Sequence, residues 1–344
     1  MSAAERTRKV TRRQALQITA VAGVGLAFAG ELTSAVLKRA GLHRIGETRT
    51  QMGTQVTVTV LHPDPSAAQQ MVQGTFAEVE RLEAILSRHR PDTPLSRLHR
   101  DGHLADAPAE LVEVLGRALD YSSLTGGAFD VTVAPLLDLY QTLWWSAALP
   151  PIQSEMEKAL ALVDYRQIQI QGRAVSLLRP GMAITLDGIA KGYVVDHAVR
   201  TLRSAGADRV MVEAGGDLGT SGSVSDGEGW QVAIQDPHDA RGSLGVLHLR
   251  GESVSTSGDY MQAFTQDRGL NHILDPKTGR SPVHTSAVTV VAPTSMDADA
   301  LSTSAFVLGP SEGLALLEKL DGVEGLIVTK EGEELATRGF SRTS

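Results

Sequence analysis

The sequence predicts an α+β fold, with mixed or antiparallel sheets flanked by helices. Three observations carry this. Strand and helix signals alternate without the regular β-α-β rhythm of a doubly wound parallel sheet. Period-two patterning marks short strands, most clearly Gln55-Val56-Thr57-Val58-Thr59-Val60. Apolar residues recur at helical spacing in the segments between them, as with Val195, Val199 and Leu202. With 344 residues, 42% of them hydrophobic, the chain can bury one large core or two smaller ones.

The N-terminus predicts export. Arg8, Lys9, Arg12 and Arg13 precede an apolar run over 18–29, and Ala27-Phe28-Ala29 stands before Gly30. A basic region, a short apolar region and small residues at a cleavage site make a secretory leader over 1–30. The arginine pair with Leu16 points to the twin-arginine export machinery. The alternative is an uncut anchor, but the run falls short of the roughly 20 residues a spanning helix needs. The expected location is therefore across the cytoplasmic membrane, in the periplasm or on the outer face. No cysteine is present. Disulfides and thiolate metal sites are excluded, and so is a lipid-modified N-terminal Cys, so the protein is not expected to be a lipoprotein.

Residues 31–48 read as a helix-tending linker, 49–335 as the folded domain and 336–344 as a C-terminal tail. A strand at 55–60 and a turn through Pro63 and Pro65 lead into a helix with Met71, Phe76, Val79, Leu82 and Leu86 on one face. Residues 90–94 read as a polar loop. A helix over 111–124 ends at Gly126-Gly127, where a glycine cap belongs. A further helix is expected from Ser154, a hairpin around Gly172, and a helix over 189–204. Strands follow at 209–213, 229–235, 245–250 and 287–292. Helices at 298–308 and 313–320 and a strand at 325–329 close the domain.

A net charge of −8 and 4% aromatic residues argue against nucleic acid as a partner. The chemistry gathers in five ordered motifs: Thr185-Leu186-Asp187-Gly188-Ile189-Ala190-Lys191-Gly192, Ala214-Gly215-Gly216-Asp217, Ser255-Thr256-Ser257-Gly258-Asp259-Tyr260, His272-Ile273-Leu274-Asp275-Pro276-Lys277-Thr278-Gly279, and Ala298-Asp299-Ala300-Leu301-Ser302-Thr303. Asp299 and Thr303 stand four apart on a helix, so both oxygens share a face. That pair suits a hard cation such as Mg2+; it also fits an acid complementing the helix dipole beside a solvated threonine. Gly188 to Gly192 opens a helix whose free N–H groups suit a pyrophosphate, with Lys191 as a mobile charge; an ordinary capped helix reads the same way. Gly215-Gly216-Asp217 is a turn that either lets a ligand approach the backbone or simply reverses the chain. It is not a dinucleotide fingerprint, because no third helix-opening glycine follows. Ser255, Thr256, Ser257 and Gly258 read as a hydroxyl-rich loop able to bond phosphate or ribose. His272, before a Pro/Gly turn, is either a proton acceptor or a structural histidine. His197, His238, His248 and His284 have no comparable setting.

Taken together, in this order and spacing, the motifs resemble the ApbE family of FAD:protein FMN transferases. Further matches are Met52-Gly53-Thr54, the segment 87–98, and Gly127-Ala128-Phe129-Asp130-Val131-Thr132 with Pro135-Leu136. The resemblance spans about residues 51–328. It implies a T-fold-related architecture and transfer of FMN from FAD onto a threonine or serine hydroxyl of a partner protein, with release of AMP. It also implies Mg2+ held by Asp299, Thr303 and the Gly188 carbonyl, and FAD contacts from Met52, Lys191, Gly215, Gly216, Asp217, Ser255, Thr256, Ser257, Gly258 and His272. His272 and Lys191 would be catalytic. The implied partner is an exported flavoprotein subunit of a membrane electron-transfer system.

The chain departs from the family pattern at five places. Thr185 replaces a leading Asp, Asp187 a small residue, and Glu213 an Asn. His89 and His99 replace an aromatic residue and an Asn in the early block. Asp187 reads as a helix cap or as an added charge near the pyrophosphate. The same site with water as acceptor would be an FAD pyrophosphatase. Without catalysis it would be an exported flavin carrier.

Overall fold

The computed structural model describes residues 24–25, 37, 41–224 and 229–343. The expected leader, Val24–Gly25 excepted, lies outside the described residues. The fold is α+β, and every strand pair is antiparallel.

In chain order the strands are β1 Val24–Gly25, β2 His43–Gln51, β3 Thr54–His62, β4 His103–Leu104, β5 Ile168–Gln171, β6 Ala174–Leu177, β7 Arg209–Ala214, β8 Asp217–Ser221, β9 Trp230–Gln235, β10 Ser243–Leu249, β11 Ser253–Gly258, β12 Thr285–Ala292, β13 Glu324–Thr329 and β14 Glu334–Ala336. The helices are α1 Pro65–Leu86, α2 Pro94–Asp101, α3 Ala109–Leu124, α4 Ala134–Trp145, α5 Gln153–Leu160, α6 Ala190–Ser204 and α7 Ser295–Leu317. The central sheet has eight strands in the order β14-β13-β12-β11-β8-β7-β3-β2. Alternation decides its two faces. Val288 and Val290 of β12 join Val56, Val58 and Val60 of β3 beneath α1, α6 and α7. Ala287, Leu61, Leu218 and Val254 turn the other way, onto Trp230, Val232 and Leu247 of the small β1-β9-β10 sheet.

Several elements depart from the sequence reading, each for a local reason. The last residues of the predicted linker form β2, paired with β3 from His43↔His62 to Gln51↔Thr54. Its alternation is polar, with the exposed side facing solvent, so hydropathy hid it. The expected loop is present over 90–93, but an unexpected helix, α2, starts at Pro94, because Thr93 caps the Ser96 N–H at 3.0 Å and Pro94 takes the first helical position. The two expected C-terminal helices are both present within α7, separated at Gly309 (φ 80°, ψ 178°) with Pro310 opening the second; the first begins earlier than expected, at Ser295. Within the predicted tail, Thr343 exchanges backbone hydrogen bonds with Val246 at 2.7 and 2.9 Å.

The contact that builds the site is α6 against α7. Gly192 lies against the first turn of α7 with no room for a side chain: a Cβ there would stand 2.2 Å from the Ser295 carbonyl oxygen. Asp196, one turn further along α6, accepts the Ser295 N–H at 2.7 Å and the Met296 N–H at 2.9 Å. Burial pushes its carboxyl up to about 6 against those two bonds. Asp196→Ala is expected to cost about 1–2 kcal/mol, the value of a helix cap. Thermal unfolding at pH 7.5 checks this; an unchanged melting temperature would show that Thr294 caps α7 sufficiently alone.

Candidate functional site

Four elements meet at Lys191. It lies in the first turn of α6, Asp217 opens β8, and Ser255 and Ser257 belong to β11. Asp299, Ser302 and Thr303 occupy the second and third turns of α7. The Lys191 Nζ is 2.6 Å from Asp217 Oδ2 and 3.6 Å from Asp299 Oδ1. It also donates to the Asp187 carbonyl at 3.2 Å. Both carboxylates are buried, so one ammonium faces two acids removed from water. Burial disfavours the Lys191 charge, but Asp217 and Asp299 outweigh it and hold its pKa above the ordinary lysine value. Asp299 is shifted upward, first by burial and then by repulsion from Asp217, although Lys191 and the Gly192 N–H (3.2 Å) pull the other way. Two acids thus share one ammonium, and both burial and Asp217 disfavour the charged form of Asp299.

Hydroxyls complete the floor. Ser257 Oγ is 2.9 Å from Ser302 Oγ and 3.2 Å from Thr303 Oγ1. Ser302 donates to the Asp299 carbonyl at 3.0 Å, and Ser255 donates to Asp217 Oδ1. Sequence reasoning placed 255–257 in a loop; they form a buried strand, with Ser255 opposite Asp217 across the β8–β11 ladder. A run of small hydroxyl residues lacks the apolar alternation that marks a strand. The strand period sends Thr256 away from Ser255 and Ser257: its hydroxyl meets Thr289 at 2.9 Å, and its N–H holds the Gly216 carbonyl at 3.2 Å. Gly258 has a local reason to be glycine, since a Cβ would lie 2.4 Å from the Tyr260 ring.

Gly188 lies beside Thr303 and Phe129; a Cβ on it would be 3.1 Å from Thr303 Oγ1 and 3.4 Å from the ring. Thr303 thus faces into the site and not solvent, and Asp299 is beyond the first turn, where the dipole argument would place it. Asp187 is exposed and does not cap α6, whose N-terminus has no side-chain cap. Gly215 and Gly216 form the β7–β8 turn with φ of 59° and 100°, a left-handed pair that only glycine adopts readily. Met52 lies in the β2–β3 turn, and the Thr54 hydroxyl after it would be 2.7 Å from a Cβ on Gly215. The two turns are neighbours. His272 has a buried Nδ1 with no hydrogen-bond partner in the protein. Burial lowers its pKa to about 4, and the Lys191 charge adds to this, so the imidazole is neutral near pH 7.

Two residues have roles that the sequence does not display. Ser302 joins β11 to α7 through Ser257. Glu213, 7% exposed, accepts the Gly216 N–H at 3.1 Å and so does the turn-holding work of an amide. Burial, helped by Asp217, raises its pKa to about 7. A raised carboxyl stabilises the fold fully below its unfolded value near 4.5, and that stability is lost as pH rises through 7. Glu213→Gln is expected to flatten the fall in melting temperature between pH 4.5 and 7.5, removing up to about 3 kcal/mol of pH dependence. Parallel pH curves for variant and parent would refute the shift.

The donor set is hard: carboxylates and hydroxyls, with no sulfur. Among the described residues no three His, Cys, Asp or Glu side chains converge as a metal cage. Asp299 and Thr303 on one helix face beside Gly188 would supply part of a coordination sphere, a set that fits Mg2+, an ion that keeps waters and phosphate oxygens among its ligands. The left-handed glycine turn and the uncapped α6 start fit a diphosphate in the same way.

Such a fold and site define an antiparallel α+β protein in which one lysine, two buried acids and a set of hydroxyls gather where two helices meet a sheet turn. Residues 52–327 match the ApbE family, and the chain belongs to it. It is 31% identical to the FAD:protein FMN transferase of Treponema pallidum over 88% of this chain and 89% of that one. It is 29% identical to the enzyme of the same description from Salmonella typhimurium, covering 83% and 84%. Among solved structures, the flavin transferase ApbE from Vibrio cholerae superposes with a TM-score of 0.75 at 28% identity, over 87% of this chain and 98% of that one. The Pseudomonas stutzeri flavinyl transferase ApbE gives 0.76 at 29%, covering 86% and 95%.

Proposed function

We propose that this chain is an FAD:protein FMN transferase that moves FMN from FAD to a threonine or serine hydroxyl of an acceptor protein and releases AMP. The observation that carries the reading is one lysine between two buried carboxylates, flanked by hydroxyls and a neutral histidine, inside an ApbE-family fold. Asp299, Thr303 and the Gly188 carbonyl would hold Mg2+, which supplies neutralising charge for a pyrophosphate. Lys191 binds phosphate charge from the first turn of α6. Gly215 and Gly216 let the ligand approach the backbone, and Met52 borders it from the adjacent turn. Ser255, Ser257 and Asp217 keep Lys191 and α7 in register. His272 accepts the proton of the attacking hydroxyl; the acceptor oxygen bonds to the FMN-side phosphorus, and the bond to AMP breaks with its electron pair on AMP. The acceptor is an exported or membrane-bound flavoprotein subunit of an electron-transfer system, reached after twin-arginine export.

The test is FAD, Mg2+ and a candidate acceptor with the leaderless protein, read by in-gel flavin fluorescence after denaturation. A Mg2+-dependent band with AMP released supports transfer; AMP and free FMN without a band would make the protein a pyrophosphatase. His272→Ala is expected to lower the transfer rate about 100-fold or more, the usual value of a positioned base. FAD affinity, followed by flavin fluorescence, is expected to change little. Wild-type turnover in this variant would remove the base assignment.

A further inference from the structure

We infer that Arg268 is a positioning residue that fixes the catalytic histidine by clamping the tip of the hairpin carrying it; the inference rests on His272 as the base. Between β11 and β12 the chain folds back on itself, with Ala263 bridged to Asn271. The His272 N–H donates to the Gln262 carbonyl at 3.0 Å, and Phe264 N–H to Leu270 at 2.7 Å. His272 stands at the base of this hairpin and Arg268 at its tip. Phe264 and Leu270 pack the middle of the hairpin against the apolar cluster around Leu136 and Tyr140, and the tip beyond them is anchored by polar contacts.

That anchor is an ion cluster outside the site described above. Asp259 is 1% exposed, directly after β11, and pairs with Lys330 at the end of β13. The Arg268 guanidinium reaches it at 3.6 Å and donates to the Pro237 carbonyl at 2.7 Å. Lys330 bonds one oxygen of Asp259, while the buried Oδ1 has no hydrogen-bond partner and faces Arg268, so losing Arg268 leaves that oxygen uncompensated. Arg268 adopts a left-handed φ of 57°, which a side chain disfavours and which the guanidinium contacts sustain. The tip is thereby tied directly to two segments of the sheet region, the β9–β10 loop and the end of β11, and through Asp259 to Lys330 just past β13. On its other flank Phe264 stacks on Tyr140 of α4, centroids 5.9 Å apart. The hairpin that carries His272 is thus fixed on two sides, and releasing its tip would let the imidazole drift from the proton it takes. A displacement near 1 Å is enough to slow a positioned reaction step by tens of fold.

The experiment is a double-mutant cycle of Arg268→Ala and His272→Ala in single-turnover FMN transfer, with FAD affinity and melting temperature measured for each. Arg268→Ala is expected to lower the rate ~10-fold or more with FAD affinity within ~2-fold, and Arg268→Lys to recover much of the loss. In the His272→Ala background, Arg268→Ala is expected to add no further loss, because its effect passes through the imidazole. An inactive His272→Ala beside a fully active Arg268→Ala would overturn the clamp alone. Losses that multiply in the double variant would also overturn it, since they show a general structural effect. A fully active His272→Ala would overturn the inference by removing its premise.

Discussion

Asp299→Ala is expected to abolish FMN transfer, by a factor of about 1,000 or more, while the fold persists. Phosphoryl transfer depends on positioning and charge, so removing the carboxylate that would hold the cation removes the main electrostatic term. The structure adds a reason why stability should survive. Asp299 is buried beside Asp217 and its pKa is raised, so its ionised form is a cost to the folded state near neutral pH. Deleting it leaves Lys191 paired with Asp217 at 2.6 Å, and forfeits the longer 3.6 Å contact to Lys191 and the bond from the Gly192 N–H. Transfer assays with in-gel flavin fluorescence, alongside a melting curve and Mg2+ titration, check both halves. A folded variant with wild-type transfer would end the assignment of Asp299 to the cation.

Gly192→Ala is expected to show the opposite pattern, losing stability first and activity with it. The added Cβ would lie 2.2 Å from the Ser295 oxygen, 2.5 Å from its carbonyl carbon and 2.7 Å from the Met296 Cα. All three are backbone atoms in the first turn of α7, so no side-chain rotation relieves the clash. Overpacking of this kind costs on the order of 3 kcal/mol. The displaced helix is the one that carries Asp299, Ser302 and Thr303, and the helix that must yield carries Lys191. Chemical denaturation measures the first effect and FAD binding the second. A parent-like unfolding midpoint would show that α6 and α7 can separate freely, contrary to the packing described.

Much of the site was legible in the chain because its chemistry is local. Lys191 and Gly188 belong to one helix start, Gly215-Gly216-Asp217 to one turn, and Asp299 and Thr303 to one helix face. Such short-range relations follow from residue type and helical or turn geometry alone. The long strands and helices were readable for the same reason, since period-two and helical patterns report which face is buried. Where patterning failed, polarity was the cause. β2 is too polar to alternate visibly, and β11 is a run of hydroxyls whose burial depends on partners 38 and more residues away.

What the sequence by itself determined is the fold class, the order of motifs, and the residue types that phosphate and a hard cation require. Only the tertiary structure decided which of them face each other. Ser255 and Ser257 point to Asp217, Ser302 and Thr303 while Thr256 turns to Thr289, because a buried strand alternates and a loop need not. Asp187 is exposed yet close enough for its charge to act on Lys191 and His272, whereas Glu213 is buried under the glycine turn, a distinction that burial sets. Pairings between distant segments arise from packing free energy summed over the whole core, which no single stretch of sequence displays.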